Sequence, residues 1–422
     1  MTTDRRSFLR GLGLSLGAAT ALGSLGITTR QALADVTAAD RKFLFVFNNG
    51  GWDPTTVFAP LFGLPTVDLE PDAQPMDIGG LRLVDSALRP SVRAFFQRWH
   101  ERCAVLNGVS VRSLSHEICR TIALTGDSGG LLPDWATRLA DERRGEHTLP
   151  HLVLGGPSYA GDLGAAVARS GASGQLDQLL TGDILEGSDQ PTDRPGAAAE
   201  GVIDRWMRRR AAARRDGAVL PADQVLAADF AEAIERAGEL EAATGDVTFT
   251  GGASLTAAAP TVVEALSSGL SRCVSVSEAV SWDTHANNTQ QSQLFEGFFG
   301  RLGGLLDQLQ AAPGEQGGSL LDETVVVVMS EMGRTPKLNA SQGKDHWPYT
   351  SYLLLGSGLA GSRMYGGYDD LYYGSLVDPA TAQPADDGVV VGASSVGATL
   401  LALAGADPSV VSDGVVLRGM LA

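Results

Sequence analysis

The apolar positions of this chain fall into short unbroken runs separated by stretches of helical period. Residues 42–47, Lys-Phe-Leu-Phe-Val-Phe, have no alternating polar face, which suits a parallel strand covered on both sides. Residues 103–109, 149–154, 273–282, 324–329 and 351–355 read as further strands, with Thr-Val-Val-Val-Val-Met the clearest buried one. Between them, Val92, Phe95, Phe96 and Trp99 recur at helical spacing within 91–101, and Leu294, Phe298, Leu302, Leu305 and Leu309 do so within 293–310. Shorter helices are expected at 117–124 and 396–404. Strand and helix in alternation predict an α/β fold, a mostly parallel sheet with helices on both faces and right-handed crossovers. From 157 to 270 the pattern weakens into Ala, Gly and Asp with helical pieces at 203–215 and 224–242, read as a helical cap or insert. The core would then be built from 35–156 and 271–422. The Arg208-Arg209-Arg210 run reads as a solvated helix face.

The first 34 residues carry a different pattern. Asp4-Arg5-Arg6-Ser7-Phe8-Leu9-Arg10, a weakly apolar Gly/Ala/Leu stretch and Ala32-Leu33-Ala34 have the three parts of a twin-arginine export signal cleaved after Ala34. The apolar stretch is too short and too rich in glycine for a stable membrane span, which needs about 20 apolar residues. The expected location is periplasmic or extracellular, with the twin-arginine export machinery as a partner.

Charge narrows the classes further. The 422-residue chain has a formal net charge of −17; Arg5, Arg6, Arg10 and Arg30 against Asp4 give the signal +3, so removing it leaves −20. Such a surface repels nucleic acid and anionic membranes, and an anionic substrate would need a local cation. Cys103, Cys119 and Cys273 are odd in number and far apart, so they define no disulfide framework and read as buried small hydrophobes. There is no Gly-rich phosphate loop after the first strand and no Cys-x-x-Cys-His.

The candidate chemistry lies at strand ends. In an open parallel sheet, ligands bind beyond the carboxyl ends of the strands, and Asp53, Asp283 and Glu331 each follow such an end. In extended chain Asp283 and His285 share a face, so one metal could take both. His346, beside Asp345, would complete a three-ligand set with an open position, the arrangement of a catalytic site. Imidazole with carboxylate suits Zn, Mn or a similar divalent ion. Each pair alone has an ordinary reading: a helix cap followed by a surface histidine, or a turn. His100, His147 and His151 lack acidic company and read as structural. Ser115, opening a helix, is either a hydroxyl aimed at the ion or a plain cap, and Arg334 either clamps a substrate oxygen or pairs with a carboxylate.

Phe-Asn-Asn-Gly-Gly-Trp-Asp, Ser-His before a helix ending in Thr-Gly, Trp-Asp-Thr-His, Ser-Glu-Met-Gly-Arg-Thr-Pro and Gly-Lys-Asp-His-Trp-Pro occur in this order. In this the chain resembles an exported bacterial family, domain of unknown function 1501, within the alkaline phosphatase and sulfatase superfamily. The last three motifs are specific and the first two loose. The resemblance implies an alkaline phosphatase-like core with one or two divalent ions (Zn, Mn or Ca). Asp283, His285 and His346 would form one site and Asp53 with Glu331 a second, with Ser115 as nucleophile or bridging group. Glu331-Met332 stands where relatives carry Asp-His, so the second site either is weaker, helped by Asp345 or His116, or does not form. The implied function is an exported metal-dependent hydrolase of small-molecule or polymeric phosphate or sulfate esters. The alternatives are a non-catalytic metal-binding or assembly protein on the same fold, and a phosphoryl-transferring mutase or transferase whose cap excludes water.

Overall fold

The computed structural model of the protein describes residues 36–170, 176, 196–243, 249 and 254–422. The expected export signal, 1–34, lies outside them, as does part of the 157–270 stretch. The elements that position the site are, in chain order, β1 (Lys42–Asn48), β2 (Gln74–Ile78), β3 (Leu81–Asp85), α1 (Pro90–Trp99), β4 (Cys103–Ser110), α2 (His116–Thr125), α3 (Trp135–Asp141), β5 (His151–Val153), β6 (Val167–Arg169), α4 (Ala197–Gly217), α5 (Pro221–Ala243), α6 (Leu255–Ser267), β7 (Cys273–Ser277), α7 (Thr289–Ala311), α8 (Leu320–Glu323), β8 (Thr324–Ser330), β9 (Gly333–Arg334), β10 (His346–Trp347), β11 (Tyr349–Gly356), β12 (Arg363–Gly366) and α9 (Ala393–Leu403).

Eight strands form one sheet in the order β12-β4-β11-β8-β1-β7-β5-β6. Every neighbouring pair is parallel except at β11, which runs antiparallel to both β4 and β8. This is the mixed α/β class expected, with one strand reversed. The reversal has a local cause. A parallel return beside β8 usually runs through a crossover helix, and the connection from Glu331 to Pro348 carries only β9 and β10, paired as a small antiparallel ribbon.

The unbroken apolar runs are explained by which way their residues point. Leu44 and Val46 of β1 and Val326 and Val328 of β8 join one core with α1, α6 and α7. Phe43, Phe45 and Phe47 with Val325, Val327 and Met329 join a second core with α3 and α9 on the other face. Alternate residues are thus buried on opposite sides, so the middle positions of these strands are apolar and polar residues fall only at their ends, Lys42, Asn48, Thr324 and Ser330.

Within the 157–270 stretch, β6 extends the sheet beside β5, and α6 buries Leu255, Ala258, Val262 and Leu266 in the first core. Between these two, α4 and α5 pack on each other. Arg208, Arg209 and Arg210 are exposed, Arg208 pairing with Glu235 at 2.9 Å. All three cysteines are buried and unpaired, and burial pushes the Cys273 thiol up to about 12. Among the described residues no helix is long and apolar enough to cross a membrane.

Strand β7 ends at Ser277, five residues short of the expected Trp282. Glu278 leaves the ladder because its carboxylate is taken by Arg301 and by the Leu255 N–H. The segment after it docks instead on the exit of β1, where Trp282 N–H donates to the Asn49 carbonyl at 2.9 Å. There the Trp282 ring packs among Trp52 and Phe295.

Candidate metal centre

The docked loop keeps the alternation that extended backbone dictates. Trp282 and Thr284 turn inward, Asp283 and His285 outward. Two glycines allow the close approach. Gly50, at φ +117°, would place a Cβ 2.6 Å from the Asp283 nitrogen, and Gly343 would place one 2.1 Å from the His285 carbonyl carbon. Only a residue without a side chain lets the 339–344 loop lie against His285.

The sequence set Asp283, His285 and His346 does come together, and His116, the first residue of α2, completes it. The ligand atoms of His116, Asp283 and His346 all lie within 4.8 Å of one another. Asp283 Oδ1 is 3.0 Å from His285 Nε2 and 3.3 Å from His346 Nε2, while its Oδ2 is 3.4 Å from His116 Nε2. The side chains are 45 % (His285), 34 % (Asp283), 27 % (His116) and 21 % (His346) exposed, so the cluster opens to solvent on one side.

Each imidazole is oriented through its other nitrogen. Nδ1 of His116 faces Glu331 Oε1 at 2.9 Å, Nδ1 of His285 faces Asp345 Oδ1 at 2.8 Å, and Nδ1 of His346 faces the Leu114 carbonyl at 2.7 Å. A neutral ring whose Nδ1 donates to an oxygen carries its lone pair on Nε2. Three such lone pairs are therefore turned onto one carboxylate. Two observations show that these residues fit a cation. His116 Nε2 is buried with no hydrogen-bond partner. The Nε2 atoms of His285 and His346 stand only 2.9 Å apart, where two lone pairs repel unless a proton or an ion lies between them. Ligands about 2.1 Å from one tetrahedral ion stand roughly 3.4 Å from each other, close to the 2.9–3.4 Å that separate Asp283, His285 and His346 from one another and Asp283 from His116, while His285 stands outside the 4.8 Å group that His116 forms with Asp283 and His346.

The electrostatics are set by the residues behind the ligands. Burial alone pushes the Asp283 carboxyl up, but the Arg334 guanidinium on its Oδ1, with further help from His346 and His116, holds it down at about 2. The hydrogen bond to Glu331 pulls the His116 pKa up, and the one from His285 pulls Asp345 down. Replacing Glu331 with Gln removes the anion behind His116 and is expected to weaken divalent-ion affinity by about 10- to 100-fold, read by competition against a coloured chelator.

The residues expected to form a second site are held by other partners. Asp53 is fully buried, and both its oxygens are filled: Oδ1 by the Thr55 N–H and hydroxyl at 3.0 and 2.7 Å, Oδ2 by Lys344 Nζ at 2.8 Å and Asn288 Nδ2 at 3.0 Å. Glu331 is engaged by His116 and by the Gly50 N–H at 2.7 Å. Glu331 and Asp345 thus orient imidazoles of the cluster, and Asp53 pairs with Lys344. Of the two readings of Arg334, the structure has the arginine paired with a carboxylate, Asp283. The arginine is wholly buried, with its N–H groups directed to the carbonyls of Gly50, Gly51, Trp282 and Lys344 and to Asp283, so burial keeps it from a substrate.

Ser115 occupies the N-cap position of α2 but makes no capping bond, and its side chain is exposed. It is bracketed by Leu114, tied to His346, and by His116. His151 is a core residue between Thr137 and Ser275, and burial lowers its pKa; His147 bonds the Gly269 carbonyl, and His100 approaches Ser362. Sequence reading missed Lys344, Asn288 and Asn339, the last of which donates to the His285 carbonyl and to Asp345. All three lie within or beside the motifs that supply the histidines, which is the one signal that pointed to them.

No curated protein matches this chain. Among solved structures it is similar to a phosphonate monoester hydrolase from Silicibacter pomeroyi, at 12 % identity over 90 % of this chain and 76 % of that one, with a TM-score of 0.39. It is also similar to a protein of a Bacteroides thetaiotaomicron locus for glycosaminoglycan metabolism (10 %, 88 % and 74 %, TM-score 0.40). A third is a lipoteichoic acid synthase from Listeria monocytogenes (9 %, 84 % and 75 %, TM-score 0.35). Likeness this slight says nothing of activity. Residues 40–386, however, match the family model described as protein of unknown function DUF1501, and the chain belongs to that family.

Proposed function

We propose that the protein binds one divalent metal ion through His116, Asp283, His285 and His346 and hydrolyses phosphate or sulfate esters there. The observation that carries this reading is the convergence of three oriented Nε2 lone pairs on the Asp283 carboxylate at a solvent-open rim. Three imidazoles with one carboxylate favour Zn or a similar transition ion over Ca, which takes oxygen ligands. When bound, such an ion lowers the pKa of a bound water or hydroxyl to near ~7 and neutralises charge on a substrate oxygen.

The chain's own residues do the rest. Glu331, Asp345 and the Leu114 carbonyl hold the rings in one tautomer, and Arg334 keeps Asp283 ionised. Ser115, with a hydroxyl uncommitted to its helix, is the candidate nucleophile. Its oxygen would attack the phosphorus or sulfur, the alcohol would leave with a proton, and water would cleave the resulting seryl ester. The opening of α2 favours an anion beside it. Replacing Ser115 with Ala is expected to lower kcat on an aryl phosphate or sulfate by about 10³-fold or more while metal content stays at the wild-type level. Unchanged kcat would hand the attack to water.

A non-catalytic metal-binding role is the second reading, favoured by one observation: Arg334 and Lys344, the cations beside the motifs, are both sealed from substrate. Screening the metal-loaded protein on aryl phosphate, phosphodiester and sulfate esters separates the two, since loaded protein with no turnover leaves only binding. The twin-arginine motif supports export of the folded chain, and α4 with α5 is the part of 157–270 suited to a cap.

A further inference from the structure

The Asp53 carboxylate lies at the end of the central strand β1, where a second metal ligand was expected, yet its surroundings are those of a finished ion pair. Lys344 is wholly buried; its ammonium donates to Asp53 Oδ2 at 2.8 Å and to Thr55 Oγ1 at 2.8 Å. Thr55 passes a hydrogen bond on to Asp53 Oδ1 at 2.7 Å, and Asn288 fills the remaining place on Oδ2 at 3.0 Å. A carboxylate offers about four lone-pair positions, and all four are taken. A metal ion at Asp53 would have to expel an ammonium that has no route to solvent.

We infer that Lys344 is a built-in cation standing in place of a second metal, so that the site holds one divalent ion and no more. Charge supports the same count. Asp53, Asp283, Glu331 and Asp345 face two fixed cations, Arg334 and Lys344, so the group carries a formal −2, which one dication neutralises. The loop makes the substitution possible: Lys344 sits between Gly343, which packs on His285, and Asp345-His346, so one short segment turns Lys344 inward and supplies a ligand ring and its neighbour's orienter. The second positive charge is thereby fixed by sequence and independent of metal supply.

The inference rests on the single-ion reading above, and the two can fail separately. The test is native mass spectrometry and calorimetric titration of the full chain with Zn²⁺. Wild type is expected to take up one ion. A double variant, Asp53→Asn with Lys344→Met, removes both charges while keeping size and most hydrogen bonds. It is expected to bind one ion with a Kd within about threefold of wild type, as a pair outside the ligand set requires. His116→Ala with His346→Ala is expected to bind none. Two ions on wild type would overturn the inference, and so would a loss of tenfold or more in the Asp53/Lys344 variant. If wild type binds two and the histidine variant keeps one, the inference fails while the imidazole site stands; if wild type binds none, both fail. The wild-type count decides the matter even if the double variant does not fold.

Discussion

Replacing Asp283 with Asn is expected to lower ester hydrolysis by about 10³-fold, the several kcal/mol of transition-state stabilisation that a bound ion supplies. Asp283 is, among the described residues, the one side chain whose oxygens approach all three Nε2 atoms, at 3.0, 3.3 and 3.4 Å. Asn keeps the size and one carbonyl oxygen but removes the negative charge that offsets the dication and receives Arg334. The loss should therefore appear in zinc affinity and in kcat/KM together. Full activity with unaltered zinc affinity would mean that the acidic loop is not part of the centre.

Replacing Arg334 with Met is expected to produce the largest loss of stability, about 3–5 kcal/mol, the usual cost of breaking a buried charged network by removing one partner. Its guanidinium ties together four carbonyls from three segments, those of Gly50, Gly51, Trp282 and Lys344. Lys cannot replace it, since one ammonium lacks the planar fork that reaches several acceptors. Denaturant unfolding at neutral pH reads the loss.

The same substitution moves the acid limb of stability in the metal-free protein. With Arg334 in place Asp283 is held at about 2, below its unfolded value of about 3.9. The stabilisation it contributes is thus full above the unfolded value and disappears as pH falls towards 2. Without the arginine the folded value rises, and part of that acid-sensitive stability is absent at every pH. An Arg334→Met protein whose Tm fell along the same acid curve as wild type would show that the pair does not act in this way.

How much of this was legible in the sequence depended on whether a residue's role left a pattern. The central strands were, because burial on two faces forces runs such as 325–329 to be wholly apolar. The reversal of β11 was not, since direction is decided by what the preceding connection lacks rather than by any feature of the strand. The end of β7 was misjudged because the residues after it are apolar enough to continue a strand, while Glu278 is diverted by a partner distant in sequence, Arg301. In the site, Asp283 and His285 were readable from their i, i+2 spacing. His116 left only the weak signal of a histidine at a helix start.

The carboxylates were harder to tell apart. Asp53, Glu331 and Asp345 all fall near strand ends or beside a histidine, and composition does not distinguish a ligand from a residue that orients one. Lys344 and Arg334 look like ordinary surface cations inside polar motifs. Their burial follows from the glycines around them, Gly50, Gly51 and Gly343, which let three chain segments close over the charges.

The most direct test of the centre is X-ray absorption at the zinc edge on the full chain loaded with one equivalent of Zn²⁺. A first shell of nitrogen and oxygen at about 2.0–2.1 Å is expected, with the outer-shell scattering of three imidazoles. A spectrum with no imidazole scattering, or a protein that leaves the zinc in solution, would contradict the proposed centre.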